Sequence, residues 1–397
     1  MKLADDDIQE FIFAHEHDDE TKLVLRSKEF MGVPTASIAD QIKARRKARI
    51  KLPLYYKTHG IVYPPSLNLE QSSSEATAIY KREIIQELIP KRERFCDLTG
   101  GFGVDSFFIS SAFAHCDFVE PNATLLEMAK HNHALLGARN ITYHNTTAEE
   151  FSGSNFDLIY VDPSRRDKSK NKVVSFSDSE PRVSSAPPRV LSETKNLLIK
   201  ASPLLDLQQG VKELGNVSRV YVVARDNEVK ELLFFCNQNV STEPDIICVD
   251  ISASEFRFKF SEEREVVSTL SDADTYLDQY IYEPNASIMK GGAFKSVATR
   301  FNLNKIETNT HLYTSDSMVE SFPGRIFKVV GHVKPDKSLK EDFPKGQANI
   351  LLRNYPMSVE ELKKKTGITE GGTDYLIGFS GRNKKYLVKA EKVRARS

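Results

Sequence analysis

The sequence predicts an α/β protein built on a doubly wound, largely parallel sheet, and three features carry that expectation. Strand-like and helix-like segments alternate from Arg94 to Val249. A glycine turn, Thr99-Gly100-Gly101-Phe102-Gly103, joins a short apolar strand to an apolar helix. Two later apolar runs end in acids, Glu120 and Asp162, at the strand ends where open α/β sheets bind ligands.

Residues 1–75 read as an N-terminal helical region punctuated by Pro34, Pro53, Pro64 and Pro65. Ile8 to His15 and Thr21 to Met31 are short amphipathic segments, and Val33 to Ile50 is a longer one. The first 20 residues carry eight acids against Lys2, whereas residues 21–60 carry ten Lys or Arg against Glu29 and Asp40. Lys43 to Lys51 alone hold six bases in nine residues. A solvated helical face paired with the acidic start is the favoured reading, with an RNA contact as the alternative. After the turn at Tyr63-Pro64-Pro65, Ser72 or Ser73 is expected to cap a helix running to about Leu88.

The segment 76–250 is the expected sheet domain. Arg94-Phe95-Cys96 enters as a strand, Asp97 stands at its end, and Gly100, Gly101 and Gly103 permit a tight turn with close backbone approach to a ligand. A dinucleotide fingerprint begun at Gly101 would need Gly or Ala at 106, where Ser106 stands. The second strand, Ala114 to Val119, delivers Glu120 about twenty residues beyond the turn, where a ribose diol would lie. Asn140 to His144 is the third strand. The fourth, Phe156 to Val161, ends in Asp162-Pro163-Ser164-Arg165. Lys168 to Pro188, rich in Ser, Lys, Arg and Pro, reads as a long loop covering the substrate. The sheet is then expected to resume with a strand at Leu197 to Lys200, a helix at Leu204 to Leu214, a strand at Arg219 to Ala224, a helix at Glu228 to Cys236 and a last strand at Asp245 to Val249.

Residues 251–322 are expected to form a small α+β insert. Phe256 to Phe260 alternates as a half-buried strand, Tyr280 to Ile288 leads into a helix through Met289 to Phe301, and Thr310 to Thr314 is a strand again. In 323–397, strands are expected at Arg325 to Val333 and Ala348 to Asn354, a capped helix at Ser358 to Thr366, and a hairpin of Asp374 to Phe379 with Lys385 to Ala390. This last segment holds 17 Lys or Arg against 8 Asp or Glu, the electrostatic footprint of a nucleic-acid-binding module.

Asp97-Leu-Thr99-Gly-Gly101-Phe-Gly103 resembles motif I of class I S-adenosylmethionine (SAM) methyltransferases, with Thr99 in place of the first glycine. Asp162-Pro163-Ser164-Arg165 resembles their motif IV, with Ser164 and Arg165 in place of the second proline and the aromatic. Together with Glu283-Pro-Asn-Ala-Ser-Ile288 and the basic C-terminal segment, these motifs resemble a bacterial family of such enzymes carrying a ferredoxin-like insert and a C-terminal THUMP-like domain. The resemblance implies a Rossmann-like seven-stranded sheet whose final strand is reversed, SAM as cofactor, and RNA (tRNA or rRNA) as partner. It implies that Asp97, Thr99, Gly100, Gly101 and Gly103 surround the methionine part, Glu120 takes the ribose, Thr147 and Ala148 take the adenine, and Gln71 lies over the methionine end, with a plain helix cap as the alternative reading of Gln71 and Ser72. Asp162 and the Pro163 carbonyl would accept from an exocyclic amine, with Arg165 stacking or gripping a phosphate, or simply paired with Asp167 or Asp157. Cytosine C5 methylation would need a thiol at this strand end, and none lies near it.

Composition sets outer bounds. A chain of 397 residues accommodates two or three domains, and its 40% hydrophobic content suits a globular protein with no apolar run of membrane-spanning length. Four scattered cysteines without metal spacing suggest reduced thiols and a cytoplasmic setting, with no metal site. A small-molecule or protein methyltransferase, and a non-catalytic RNA-binding protein keeping the fold, are the competing functions.

Overall fold

The computed structural model describes residues 2–165, 175–183, 194–237, 243–251, 253–270 and 279–393. The chain forms two compact units, Met1–Val220 with Glu231–Thr242, and Tyr221–Lys230 with Glu243–Ser397.

Unit 1 begins with helices, of which the longest is α1 (Thr35–Lys51). Its basic run is largely consumed by the acidic start and by nearby backbone. Arg45 bonds buried Glu16 at 2.9 Å and lies over the rings of Phe13 and Tyr56; Arg46 bonds Glu20 at 2.7 Å. Lys47 pairs with Glu70, and Lys51 donates to the carbonyls of Leu69 and Glu70. Ala44, Ala48, Leu52 and Tyr55 then pack with Phe102, Phe108 and Met128, so the helical start and the glycine turn share one apolar core. Helix α2 (Glu75–Leu88) is capped by Ser74, which accepts from the Thr77 amide, one residue later than expected. Ser72 instead closes the preceding short helix, and Ser73 is free for other bonds.

The sheet follows. Strands β1 (Arg94–Asp97), β2 (His115–Val119), β3 (Ile141–His144), β4 (Leu158–Val161) and β5 (Asn196–Ala201) pair in parallel in the order β3-β2-β1-β4-β5. Strand β4 is buried at all four positions, as a parallel strand covered on both faces should be. Helix α3 (Val104–Ser110) follows the glycine turn, and α4 (Ala123–Leu135) is capped by Asn122, which accepts from the amides of Thr124 and Leu125. Helix α5 (Leu207–Leu214) follows β5.

Strands β6 (Val217–Arg225) and β7 (Glu228–Asn237) extend the order to β3-β2-β1-β4-β5-β7-β6, with β7 antiparallel to β5. Glu228 to Cys236 is therefore the reversed strand and not a helix. Asp226 and Asn227 both take positive φ, +55° and +60°, which is the two-residue turn that matches the twist of a tight hairpin. The following Leu232-Leu-Phe-Phe-Cys236 run is buried on both faces, which removed the alternation that marks a strand.

In unit 2, β8 (Asp245–Asp250) pairs antiparallel with β9 (Ser254–Phe258). A second sheet holds β10 (Tyr280–Pro284), β11 (Asn304–Glu307), β12 (Thr310–Ser315), β13 (Gly324–His332), β14 (Gln347–Arg353), β15 (Thr369–Ser380) and β16 (Lys385–Lys392), in the order β11-β12-β10-β13-β16-β15-β14. Helix α6 (Val359–Thr366) opens with a capping box between Ser358 and Glu361. Ile281, Ile306 and Leu312 share a core with Phe327, Leu351, Ile377 and Phe379.

Candidate active site

The glycine turn is built so that only glycine fits it. Gly101 and Gly103 have φ of +56° and +82°, and a Cβ on Gly100 would stand 2.3 Å from the Phe118 ring. A Cβ on Gly103 would meet His133 Nε2 at 2.6 Å. Burial pushes that imidazole down to about 4, so it is neutral. Its Nε2 donates to the Gly103 carbonyl at 2.9 Å, which leaves Nδ1 to accept from the Tyr143 hydroxyl at 3.0 Å.

Around the turn, the structure joins several of the residues singled out by sequence. The buried Asp97 carboxylate accepts from the Thr99 amide at 2.8 Å, from Thr99 Oγ1 at 3.2 Å and from the Ser106 hydroxyl. Its burial, opposed by those bonds and aided by Asp105, raises it to about 7. Glu120 accepts from the Gly101 amide through Oε2 and from the Asn122 amide through Oε1, both at 2.8 Å. Asn145 donates to the carbonyls of Glu120 and Pro121 at 3.0 Å, which fastens the loop after β3 to the end of β2. In that loop Ala148 is buried and Thr147 closes a local turn on Glu150 and Phe151. Thr99 Oγ1 also accepts from the Asp162 amide at 2.7 Å, so the strand ends of β1 and β4 are directly linked.

Other expected residues are not joined to this group. Gln71 is exposed at the end of its short helix, and its side chain makes no hydrogen bond among the described residues. Pro163 is half-buried beside Asp162. Ser164–Arg165 pairs antiparallel with Ser179–Glu180; the Arg165 side chain lies outside the described residues. Much of the expected cover, 168–174 and 184–188, also lies outside them. Its middle is anchored. Glu213 accepts from Ser175 Oγ and from the Phe176 amide, and the buried Phe176 ring meets Phe234 edge-on at 5.3 Å.

Sequence reasoning missed a buried charge cluster beneath the turn. Lys81, fully buried on α2, pairs with Glu231 and lies 3.2 Å from Asp105 Oδ1. Asp105 Oδ2 accepts from the Ser73 hydroxyl at 2.6 Å and from the Tyr160 hydroxyl at 2.7 Å. Lys200, on β5, reaches Asp162 Oδ2 at 2.5 Å, Ser73 Oγ at 3.3 Å and Asp105 at 3.9 Å. Burial would raise Asp105, yet Lys81 and Lys200 hold it below the usual aspartate range, while burial raises Glu231 against the same two lysines. One signal was available: Lys81 falls on the same helical face as buried Ala78 and Ile85.

A crystal structure of a candidate methyltransferase from Porphyromonas gingivalis W83 is 30% identical and superposes with a TM-score of 0.84, over 99% of each chain. This chain belongs to the same methyltransferase family. The methyltransferase also matches a ferredoxin-like domain over residues 280–323 and a THUMP domain-like family over 324–392. An rRNA methylase from Streptococcus thermophilus (15% identity, TM-score 0.30, 40% of this chain and 94% of that one) is a much more distant neighbour. So is M. capricolum TrmK with S-adenosyl-homocysteine (11%, 0.31, 40% and 68%). No curated protein matches the methyltransferase. The glycine turn, with acids at the ends of β1 and β2, is compatible with SAM as the methyl donor. Among the described residues no helix is long and apolar enough to cross a membrane.

Proposed function

We propose that this methyltransferase modifies RNA, tRNA or rRNA, at an exocyclic amine of a purine. The observation that carries the reading is the link from Thr99 to the Asp162 amide, which puts the acceptor-type sequence Asp162-Pro163 beside the cofactor-type glycine turn. The net positive THUMP-like segment supports a phosphate-rich substrate.

In this reading Asp97 takes the methionine ammonium, Thr99 and Gly100 to Gly103 line that end, and Glu120 takes the ribose hydroxyls. Thr147 and the Ala148 amide address the adenine, and Gln71 flanks the methionine. SAM supplies an electrophilic methyl group. Asp162 Oδ1 and the Pro163 carbonyl accept the amine N–H groups and so aim the nitrogen lone pair. The amine nitrogen sheds one proton to solvent as its new bond to carbon forms. Arg165 is assigned to a phosphate or to the face of the base. The four cysteines are free and buried, which supports an amine over a thiol-dependent carbon target and a cytoplasmic setting.

Mass spectrometry of nucleosides from RNA of parent and deletion cells tests the reading. A methylated purine lost on deletion, and restored by purified protein with SAM, is the expected result. Unchanged nucleosides, with transfer instead to a protein or a small molecule, would sink it.

A further inference from the structure

The Asp162 carboxylate is held from one side only. Its Oδ2 accepts from Lys200 Nζ at 2.5 Å, whereas Oδ1 has no hydrogen-bond partner among the described residues. The side chain of Asp162 is 36% exposed and that of Lys200 is 12% exposed, so the pair stands where the charged cluster meets the surface. Behind Lys200 the contacts run inward without a break. Ser73 Oγ accepts from both Lys200 and Lys81 while donating to Asp105, and Lys81 is clamped by Asp105 and Glu231. Lys200 itself extends from β5, which pairs with β4 from Ile159 to Val161 and so lies next to the strand that delivers Asp162. Lys200 therefore sits on a strand and Asp162 directly follows one, with its amide held by Thr99, the kind of support that keeps a reacting geometry within a few tenths of an ångström.

An ion pair placed only for stability has little reason to sit at the exposed lip of a substrate site, where solvent weakens it. Burial opposes the Lys200 ammonium, but Asp162, Asp105 and Glu231 outweigh it and hold the group above the usual lysine range. The lysine is a fixed cation and not a base.

We infer that Lys200 is a positioning residue for methyl transfer: it fixes the Asp162 carboxylate through Oδ2 and leaves Oδ1 as the single acceptor presented to the substrate amine. This rests on the proposed role of Asp162. It adds a second requirement to the strand-end motif, a cation on the neighbouring strand, that the motif itself does not contain. Lys200 touches neither substrate nor cofactor in this scheme and acts through Asp162 alone.

Full-length Lys200→Met, Lys200→Gln, Lys200→Arg and Asp162→Ala are compared in steady-state transfer of labelled methyl from SAM to total RNA from cells lacking the protein. SAM affinity is measured by calorimetry and folding by thermal melting. Lys200→Met should lower kcat by about 10- to 100-fold, the scale of an ångström-level misplacement, while KM for RNA and the SAM Kd stay near the parent values. Lys200→Arg, which keeps the cation, should recover most of the rate. Should Lys200→Met not fold, Lys200→Gln keeps the length and a hydrogen bond while removing the charge, and the same loss of kcat is expected. A parent-like kcat in the neutral variants, or a fall in SAM affinity matching the fall in rate, would overturn the inference. If Asp162→Ala is slow but the Lys200 variants are not, only the inference fails; if Asp162→Ala transfers at the parent rate, the role of Asp162 itself is wrong.

Discussion

Thr99 Oγ1 accepts the Asp162 amide at 2.7 Å while lying 3.2 Å from Asp97 Oδ1. The hydroxyl has one proton and spends it on Asp97, so one side chain joins the glycine turn of β1 to the end of β4. A glycine at this position, as in the usual form of the motif, would leave the Asp162 amide to find another partner. Thr99→Val keeps the shape and removes both bonds. It should lower stability by about 1 to 3 kcal/mol, the cost of an unpaired buried polar group, whereas Thr99→Ser should stay close to the parent. Urea unfolding of the three proteins decides between them.

Glu120 carries a second prediction. Its two oxygens already hold the Gly101 and Asn122 amides, so they can serve a ribose only in addition to these bonds. Glu120→Ala should weaken SAM binding by about 2 to 4 kcal/mol, with loss of charge-assisted bonds and loosening of the turn both contributing. Parent-like SAM affinity in a folded Glu120→Ala, measured by calorimetry, would remove Glu120 from the cofactor site.

Asp97 sets an expected pH dependence. Its folded value of about 7 lies above the ordinary 3.8, so the carboxyl is protonated in the free protein below neutrality. If it must be ionised to take the methionine ammonium, SAM affinity should rise with pH to a plateau above about 7 and be about tenfold weaker at pH 6. The stability term has the opposite sense: it is fully present below about 3.8 and lost as pH rises through 7. Asp97→Asn should flatten both profiles. A SAM titration series from pH 6 to 7.5 is the direct measurement.

The Lys81 cluster should weigh on stability. Lys81→Met strands Asp105 and Glu231 in the interior and should cost about 3 to 5 kcal/mol. Adding Glu231→Gln should return part of that loss, because one uncompensated charge is removed. Equal melting temperatures for the parent and Lys81→Met would show that the cluster is solvated in solution.

RNA affinity should depend on exposed Lys364 and Lys365 at the end of α6. Replacing both with Glu should weaken binding and flatten the salt dependence by a slope of about 0.7 to 0.9 for each phosphate no longer neutralised. Filter binding at several salt concentrations reads the slope. An unchanged slope would redirect attention to Lys43 and Arg49, the bases of α1 that remain exposed.

Much of the sheet was legible because its signals are local. Gly100, Gly101 and Gly103 mark a turn by backbone conformation, and Glu120 and Asp162 mark strand ends by following apolar runs. The capping box at Ser358 and Glu361 named its own helix. What escaped notice depended on partners far away in sequence. Lys81 meets Glu231 across 150 residues, and Lys200 meets Asp162 across 38, so neither partner can be read from its own segment, although the helical face shared with Ala78 and Ile85 marks Lys81 as buried. Strand β7 reads as a helix in sequence because burial on both faces leaves no period of two, and only the Asp226-Asn227 turn distinguishes it.

The two matched domain families meet between residues 323 and 324, yet β10, the first strand of one, pairs along its whole length with Gly324 to Lys328 of β13, the first strand of the other. A chain ending at Pro323 would bare the ladder edge of β10 and strip Phe327, Ile377 and Phe379 from the core that Ile281 and Leu312 share with them. The boundary between the two matches is not a boundary in the sheet or in its core. A chimaera should therefore carry residues 280–392 as a single piece.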